Sequence, residues 1–165
     1  MLMLPRIAFV VLLVVVGALI VGTSGGLPEQ VATHFGSSGA ANGFMSHNGY
    51  IVFMLAFSVV MPLVVVATTG LVPRIARSGR NVPHFDYWFA PARREASSAR
   101  LLSHACLLGC WMLLFFGALH GLLLDANTTV PARLHETVFF ALLAVFVVGL
   151  GVWMLVMRRM FARPA

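Results

Sequence analysis

The sequence predicts an all-α fold: a four-helix transmembrane bundle with both termini cytoplasmic. Three observations carry this. Charged residues make up 10% of the 165-residue chain and hydrophobic residues 60%, whereas an ordinary globular domain carries roughly 25% charged residues. Four stretches, residues 7–26, 51–72, 101–124 and 138–157, contain no Asp, Glu, Lys or Arg. All eleven basic residues are arginine, and ten of them fall on one side of the spans those stretches would make. So little charge cannot clothe a water-soluble domain, which excludes a soluble enzyme, a disordered tail and a disulfide-stapled secreted module.

A bilayer core about 30 Å thick takes roughly 20 apolar helical residues to cross, and each stretch has that length. Inside lipid the backbone polar groups must pair with one another, so each span is expected to be an α-helix. The first run is longer than the ~7–15 apolar residues of a signal peptide, so it reads as a retained span. Arg6 precedes the first span. Arg74, Arg77, Arg80, Arg93, Arg94 and Arg100 lie between the second and third, and Arg158, Arg159 and Arg163 follow the fourth. Only Arg133 lies on the other side. The positive-inside rule makes the Arg-rich side cytoplasmic and the location the cell's inner (plasma) membrane. The surplus charge reads as contact with anionic lipid headgroups rather than with nucleic acid.

This divides the chain into three parts. Residues 1–72 hold the first two helices and an outer loop, 27–50. Residues 73–100 form an Arg- and aromatic-rich cytoplasmic loop. Residues 101–165 hold the last two helices and a short basic tail. In the outer loop, Leu27-Pro28-Glu29 suits the opening of a short helix. Val31, Thr33 and Phe35 alternate with polar neighbours and suit an extended segment equally well. Residues 37–43 are rich in Gly and Ser and read as a turn. Ser46 or Asn48 is placed to cap the second membrane helix. The loop is long for a connector, which leaves room for a binding surface.

An apolar helix, the stretch LPEQVATHFGSSGAANGFMS and a second apolar helix together resemble the bacterial domain of unknown function 1648. That domain forms the N-terminal part of SdpI-type immunity proteins. The matching residues are Leu27, Pro28, His34, Phe35, Gly39, Asn42 and Gly43, within about residues 7–70. The cytoplasmic stretch NVPHFDYWFAPARREA is similar to segments of small stand-alone members of the same family. The resemblance implies a non-enzymatic membrane protein related to immunity proteins, with those seven residues as candidate ligand contacts.

In the cytoplasmic loop, Pro83 and Pro91 bracket Phe85, Tyr87, Trp88 and Phe89. Such aromatics favour the membrane boundary, so a surface-lying or re-entrant segment beside the third helix is expected. Asp86 and Glu95 could pair with nearby arginines. Asp86, Tyr87, Trp88, Arg93 and Arg94 form a candidate anchor or partner site. On the third helix, Ser103, Cys106, Cys110, Gly117 and Gly121 share one stripe at ~100° per residue. The Gly117-to-Gly121 spacing permits close helix approach, with Gly149 and Gly151 of the fourth helix as expected receivers.

His120 lies beside that stripe and points inward. Together with Asp125 it is the intramembrane polar candidate, its bland partners being a carbonyl, Asn127 or Glu136. His104 falls roughly opposite, where it is expected to reach water. The two histidines are ~24 Å apart along the helix, too far to share a haem. Glu29, His34, His47 and His135 match no compact metal motif. Cys106 and Cys110 read as packing residues. Pro62 should kink the second helix, with Ser58 or a water beside the freed carbonyl. Asn127-Thr128-Thr129 matches a glycosylation pattern by chance.

No catalytic residue, metal or cofactor is assigned. The expected partners are the lipid bilayer and a protein partner or peptide ligand, and self-association is open. The preferred expectation is binding or sensing of a hydrophobic or peptide ligand at the outer face. An accessory subunit using the small-residue stripe and His120 as an interface is the alternative, and a small transporter using His120 and Asp125 is a third.

Overall fold

The computed structural model describes residues 2–75 and 82–162. Arg77, Arg80 and Arg163 lie outside the described residues. Four helices are long and apolar enough to cross a membrane: Leu4–Ser24, His47–Leu71, Arg94–Ala126 and Glu136–Met160. The chain is therefore a multi-pass membrane protein, predominantly helical as its composition requires.

The first helix, α1 (Leu4–Ser24), carries Pro5 in its first turn, where the missing N–H has no intrahelical partner to lose. A hairpin of β1 (Gln30–Phe35) and β2 (Ala41–Ser46) follows, paired antiparallel. This pair of strands is the one sheet among the described residues, and it settles the loop as extended rather than as a short helix at Leu27. The Ser46 side chain caps the next helix, accepting from Gly49 N–H at 3.2 Å.

The second span runs through α2 (His47–Leu55), a π turn (Ala56–Val60) and α3 (Met61–Ile75). Pro62 has no N–H, so the usual bond back to the Ser58 carbonyl cannot form. The helix widens by one residue just ahead of it, and Met61 N–H reaches Ala56 O, five residues back. The π turn accommodates the missing Pro62 N–H, and the buried Ser58 hydroxyl has no hydrogen-bond partner.

A short helix, α4 (Phe85–Trp88), precedes α5 (Arg94–Ala126). The helix α5 begins well before residue 101, because Glu95 to Arg100 are adequate helix formers. Freedom from charge marks what lies in lipid, not where a helix starts. At 1.5 Å per residue α5 spans ~50 Å, so it projects beyond the ~30 Å hydrocarbon layer. The last span is α6 (Glu136–Met160).

The main core lies where α1, the second span and α5 meet, around Phe9, Val16, Ile20, Tyr50, Met54, Val66 and Leu113. The stripe on α5 faces α1, not α6. Ser103 donates to Leu2 O at 2.8 Å, Gly117 lies beside Val16, and a Cβ at Gly109 would sit 2.5 Å from the Phe9 ring. Gly121 and Gly151 have no such neighbour. Gly149 instead receives the Trp111 ring. The receiver differs from the expectation: the small residues of α5 admit Phe9 and Val16 of α1, whereas α6 meets α5 through the Trp111 ring.

Helix α6 has no buried residue. It is held by polar pins: Trp111 Nε1 donates to Phe146 O at 3.1 Å, and Trp153 Nε1 donates to His104 O at 2.9 Å. His104 Nε2 donates back to Trp153 O at 3.2 Å, and the two rings stack 4.8 Å apart. His104 is thus buried against α6 and does not reach water.

At the Arg-rich end a second small core gathers Val82, Phe85, Phe89, Leu101 and Phe161. The aromatic loop is a folded cap packed on the start of α5 and the end of α6, not a segment merely lying on the surface. Trp88 Nε1 donates to Phe161 O at 2.9 Å, and Ser97 Oγ donates to Trp88 O at 2.7 Å.

Overpacking a tight helix crossing costs ~1–3 kcal/mol. Gly109→Val should destabilise the protein by that amount in a detergent unfolding titration. Gly121→Ala should leave it unchanged or raise stability by up to ~1 kcal/mol, since the site is open and alanine is the better helix former.

Candidate functional site

The end of the bundle that carries the hairpin holds two connected features: a buried polar chain beneath the hairpin, and a groove at its tip.

The polar chain starts with the completely buried Tyr50 and His120. His120 Nδ1 lies 2.7 Å from the Tyr50 hydroxyl, and Nε2 lies 2.8 Å from Thr23 Oγ1. Thr23 Oγ1 is also 2.7 Å from Leu19 O. A carbonyl can only accept, so the single Thr23 proton goes to Leu19. Nε2 of His120 must then donate to Thr23. A neutral imidazole carries one N–H, which leaves Nδ1 to accept the Tyr50 proton. The chain therefore runs one way, from Tyr50 to His120 to Thr23 to Leu19. Every group is satisfied with His120 neutral, and α1, the second span and α5 are tied at one point. The partners are Thr23 and Tyr50, not Asn127 or Glu136. Neither partner could be found in the sequence, because both lie on other helices.

Asp125 is not part of this chain. It is exposed and sits 3.6 Å from exposed His135. The pairing of His120 with Asp125 as one intramembrane couple is therefore not what the fold builds. Asn127 acts elsewhere: its side-chain oxygen accepts from Ala32 N–H at 2.8 Å, and its amide nitrogen donates to Ala32 O at 3.0 Å. One side-chain amide thus pairs with β1 as a neighbouring strand would, fixing the hairpin to the end of α5. The Asn-Thr-Thr pattern has a structural reason of its own.

Of the seven loop candidates, the fold gathers five along the hairpin. Across the strands, His34 Nδ1 donates to Asn42 Oδ1, and Gly43 lets the His34 side chain lie against its backbone. Gly39 sits in the turn with φ +72°, and a Cβ there would collide with the carbonyl of Leu134. Glycine alone meets both demands. Leu27 and Pro28 lie at the hairpin base instead, where Leu27 packs on the core and its carbonyl accepts from His47 at 3.2 Å.

The segment after α5 completes the platform. Leu134 N–H donates to Gly39 O at 2.9 Å, Ala41 N–H donates to Ala132 O at 3.3 Å, and Arg133 donates to Ser38 O at 3.3 Å. Between this platform and α6 lies a groove of about 160 Å³, lined by Phe35, Gly36, Leu134, Glu136, Phe139 and Phe140. Leu134, Phe139 and Phe140 carry no signal in the sequence, and Glu136 reads there only as a partner for His120. Their role depends on the loop after α5 folding back onto the hairpin tip, and no local pattern announces that.

Residues 8–65 match the family model of a domain of unknown function, DUF1648. The DUF1648 segment holds α1, the hairpin and most of the second span, about a third of the chain. Tyr50, Thr23 and all seven loop candidates belong to it. His120, Asn127 and the α6 wall of the groove come from outside it. No curated protein and no solved structure matches the chain.

The candidates between the second and third spans are drawn into the local fold. The Arg93 guanidinium lies 4.0 Å over the Tyr87 ring and donates to Tyr87 O at 3.1 Å. Arg94 donates to Phe89 O at 3.3 Å. These arginines are engaged by carbonyls and a ring instead of by Asp86 or Glu95, and Asp86 is exposed. Of the four groups considered for an outer metal, three point to separate tasks: His34 to Asn42, His47 to Leu27 and His135 to Asp125. Cys106 and Cys110 are free thiols on the α1-facing stripe.

Removing the Tyr50 hydroxyl leaves His120 Nδ1 buried without a donor, and such a loss costs ~1–3 kcal/mol. Tyr50→Phe and His120→Phe should each destabilise, and a double-mutant cycle in detergent should give a coupling of ~1 kcal/mol. Asn127→Ala should accelerate hydrogen exchange at Ala32 by about tenfold or more while leaving the α1 amides protected.

Proposed function

We propose that this chain is a non-enzymatic membrane protein of SdpI-like immunity or sensing type, which binds an apolar peptide segment at its outer face. The observation that carries the reading is the groove between the hairpin tip and the start of α6. Three phenylalanines and Leu134 supply its apolar lining, and Glu136 places a carboxylate in it. An apolar side chain beside a basic group or an amino terminus fits such a lining, and a few aromatic anchors in a pocket supply most of the energy of this kind of contact. The hairpin is pinned by Asn127 and by the Leu134–Gly39 bond, so the groove is preorganised. The DUF1648 match supports the kinship, since the hairpin half of the groove lies inside the matched segment.

In this reading no reaction is catalysed. His34 is paired with Asn42 and His120 is committed on both nitrogens, so these histidines serve as struts. The Arg distribution supports a hairpin on the outside, both termini in the cytosol and a location in the inner membrane. The cap at the Arg-rich end would report occupancy to a cytosolic partner, because it is packed on the two helices, α5 and α6, whose far ends frame the groove.

Two measurements test this. An alkaline phosphatase fusion at Ser38 should be active and one after Arg159 inactive; the reverse pattern contradicts the orientation. A photo-crosslinking side chain at Phe140 should capture a peptide in intact cells, with the yield falling about tenfold in Phe35→Ala or Phe139→Ala. The same adducts from a probe at exposed Val64, far from the groove, would mean that the probe reports lipid-face collisions and not a site.

A further inference from the structure

The opposite end of the bundle holds a larger cavity, which plays no part in ligand capture at the hairpin. Among the described residues it has a volume of about 490 Å³ and is lined by Arg6, Gly70, Arg94, Glu95, Ser98 and Ala99, among others. It lies between the start of α1, the end of α3 and the first turns of α5.

Its chemistry is that of an anion site. Arg6 donates to Ala99 O at 2.9 Å, and its Nε is buried with no hydrogen-bond partner. Arg94 donates to Phe89 O at 3.3 Å. A guanidinium has five N–H donors, so both retain donors to spare. The chain's acidic residues are Glu29, Asp86, Glu95, Asp125 and Glu136. None forms an ion pair with either arginine; the pair found among the described residues is Asp125 with His135. Two positive groups thus line one cavity with no direct ion pair to either. Ser98 adds a hydroxyl. Glu95 on the rim opposes an anion and leaves the lining with a net charge of one positive unit.

We propose that this cavity binds a phosphate group between the Arg6 and Arg94 guanidinia, with the Ser98 hydroxyl as a further donor. Paired guanidinia match the bidentate geometry of phosphate oxygens. Gly70, Ala99 and Leu102 give the remaining wall an apolar character suited to the glycerol end of a phospholipid. The same chemistry would accept inorganic phosphate, so the source must be separated by experiment.

The full chain, purified in neutral detergent, is unfolded by heat with phosphatidylglycerol, with diacylglycerol or with inorganic phosphate. A ligand that binds the folded state raises the midpoint in proportion to the logarithm of its concentration. Phosphatidylglycerol should raise it and diacylglycerol should not. A rise with inorganic phosphate alone supports the phosphate site with a soluble source. Arg94→Gln should weaken the apparent affinity about tenfold, and Glu95→Gln should strengthen it. Arg6→Gln should abolish the shift; should that variant fail to fold through loss of its bond to Ala99, the Arg94 and Glu95 variants decide. Equal shifts with diacylglycerol, or responses unchanged in both Arg94→Gln and Glu95→Gln, would overturn the proposal.

Discussion

Without water, a polar group inside this bundle needs a protein partner, and that requirement organises the structure even though the Ser58 hydroxyl is left without one. Tyr50, His120, Thr23 and the Leu19 carbonyl form a chain in which each donor meets one acceptor. The chain joins the two helices that flank the hairpin to α5, so the position of the hairpin follows from it. His104 and Trp153 solve the same problem further down, each donating to the other's backbone carbonyl. Apolar packing between helices has little driving force in lipid, because the acyl chains are as apolar as leucine. Directional bonds and close small-residue contacts therefore carry the specificity.

The two ends of the molecule are built differently for this reason. At the hairpin end, the strands' polar backbone is satisfied by the partner strand, by Asn127 and by the segment 132–134, which makes a rigid platform. At the Arg-rich end, an aromatic cap is closed by side-chain bonds from Trp88, Ser97, Arg93 and Arg94 to nearby carbonyls. Between the ends, α6 is an outer helix with nothing buried, attached at two aromatic pins. It supplies one wall of the groove, so a movement of α6 relative to the hairpin alters the groove directly.

Much of the candidate site was open to reading in the sequence. The seven loop residues that carry the family resemblance all fall in or next to the hairpin, because turn chemistry and alternation are local properties. Gly39 is legible in this way: a glycine in a Ser/Gly turn signals a left-handed position. The α6 wall was not legible, since Leu134, Glu136, Phe139 and Phe140 gain meaning only from a contact about a hundred residues away along the chain. His120 was legible as an inward histidine, but its partners were not. His104 is expected at water for the same reason: its angle around α5 is legible, but that α6 covers this side is not.

The sequence by itself determined the four spans, the grouping of the arginines around them, a helix cap at Ser46 or Asn48 and a disturbance at Pro62. Each follows from composition, charge or backbone chemistry within a few residues. The tertiary structure decided which helix receives the small-residue stripe, how the proline is absorbed, which groups close the polar chain and where the groove lies. These depend on how apolar surfaces of nearly equal hydropathy pair, and hydropathy cannot rank such pairings. Shape and the matching of individual hydrogen bonds do, and both exist only once the helices are assembled.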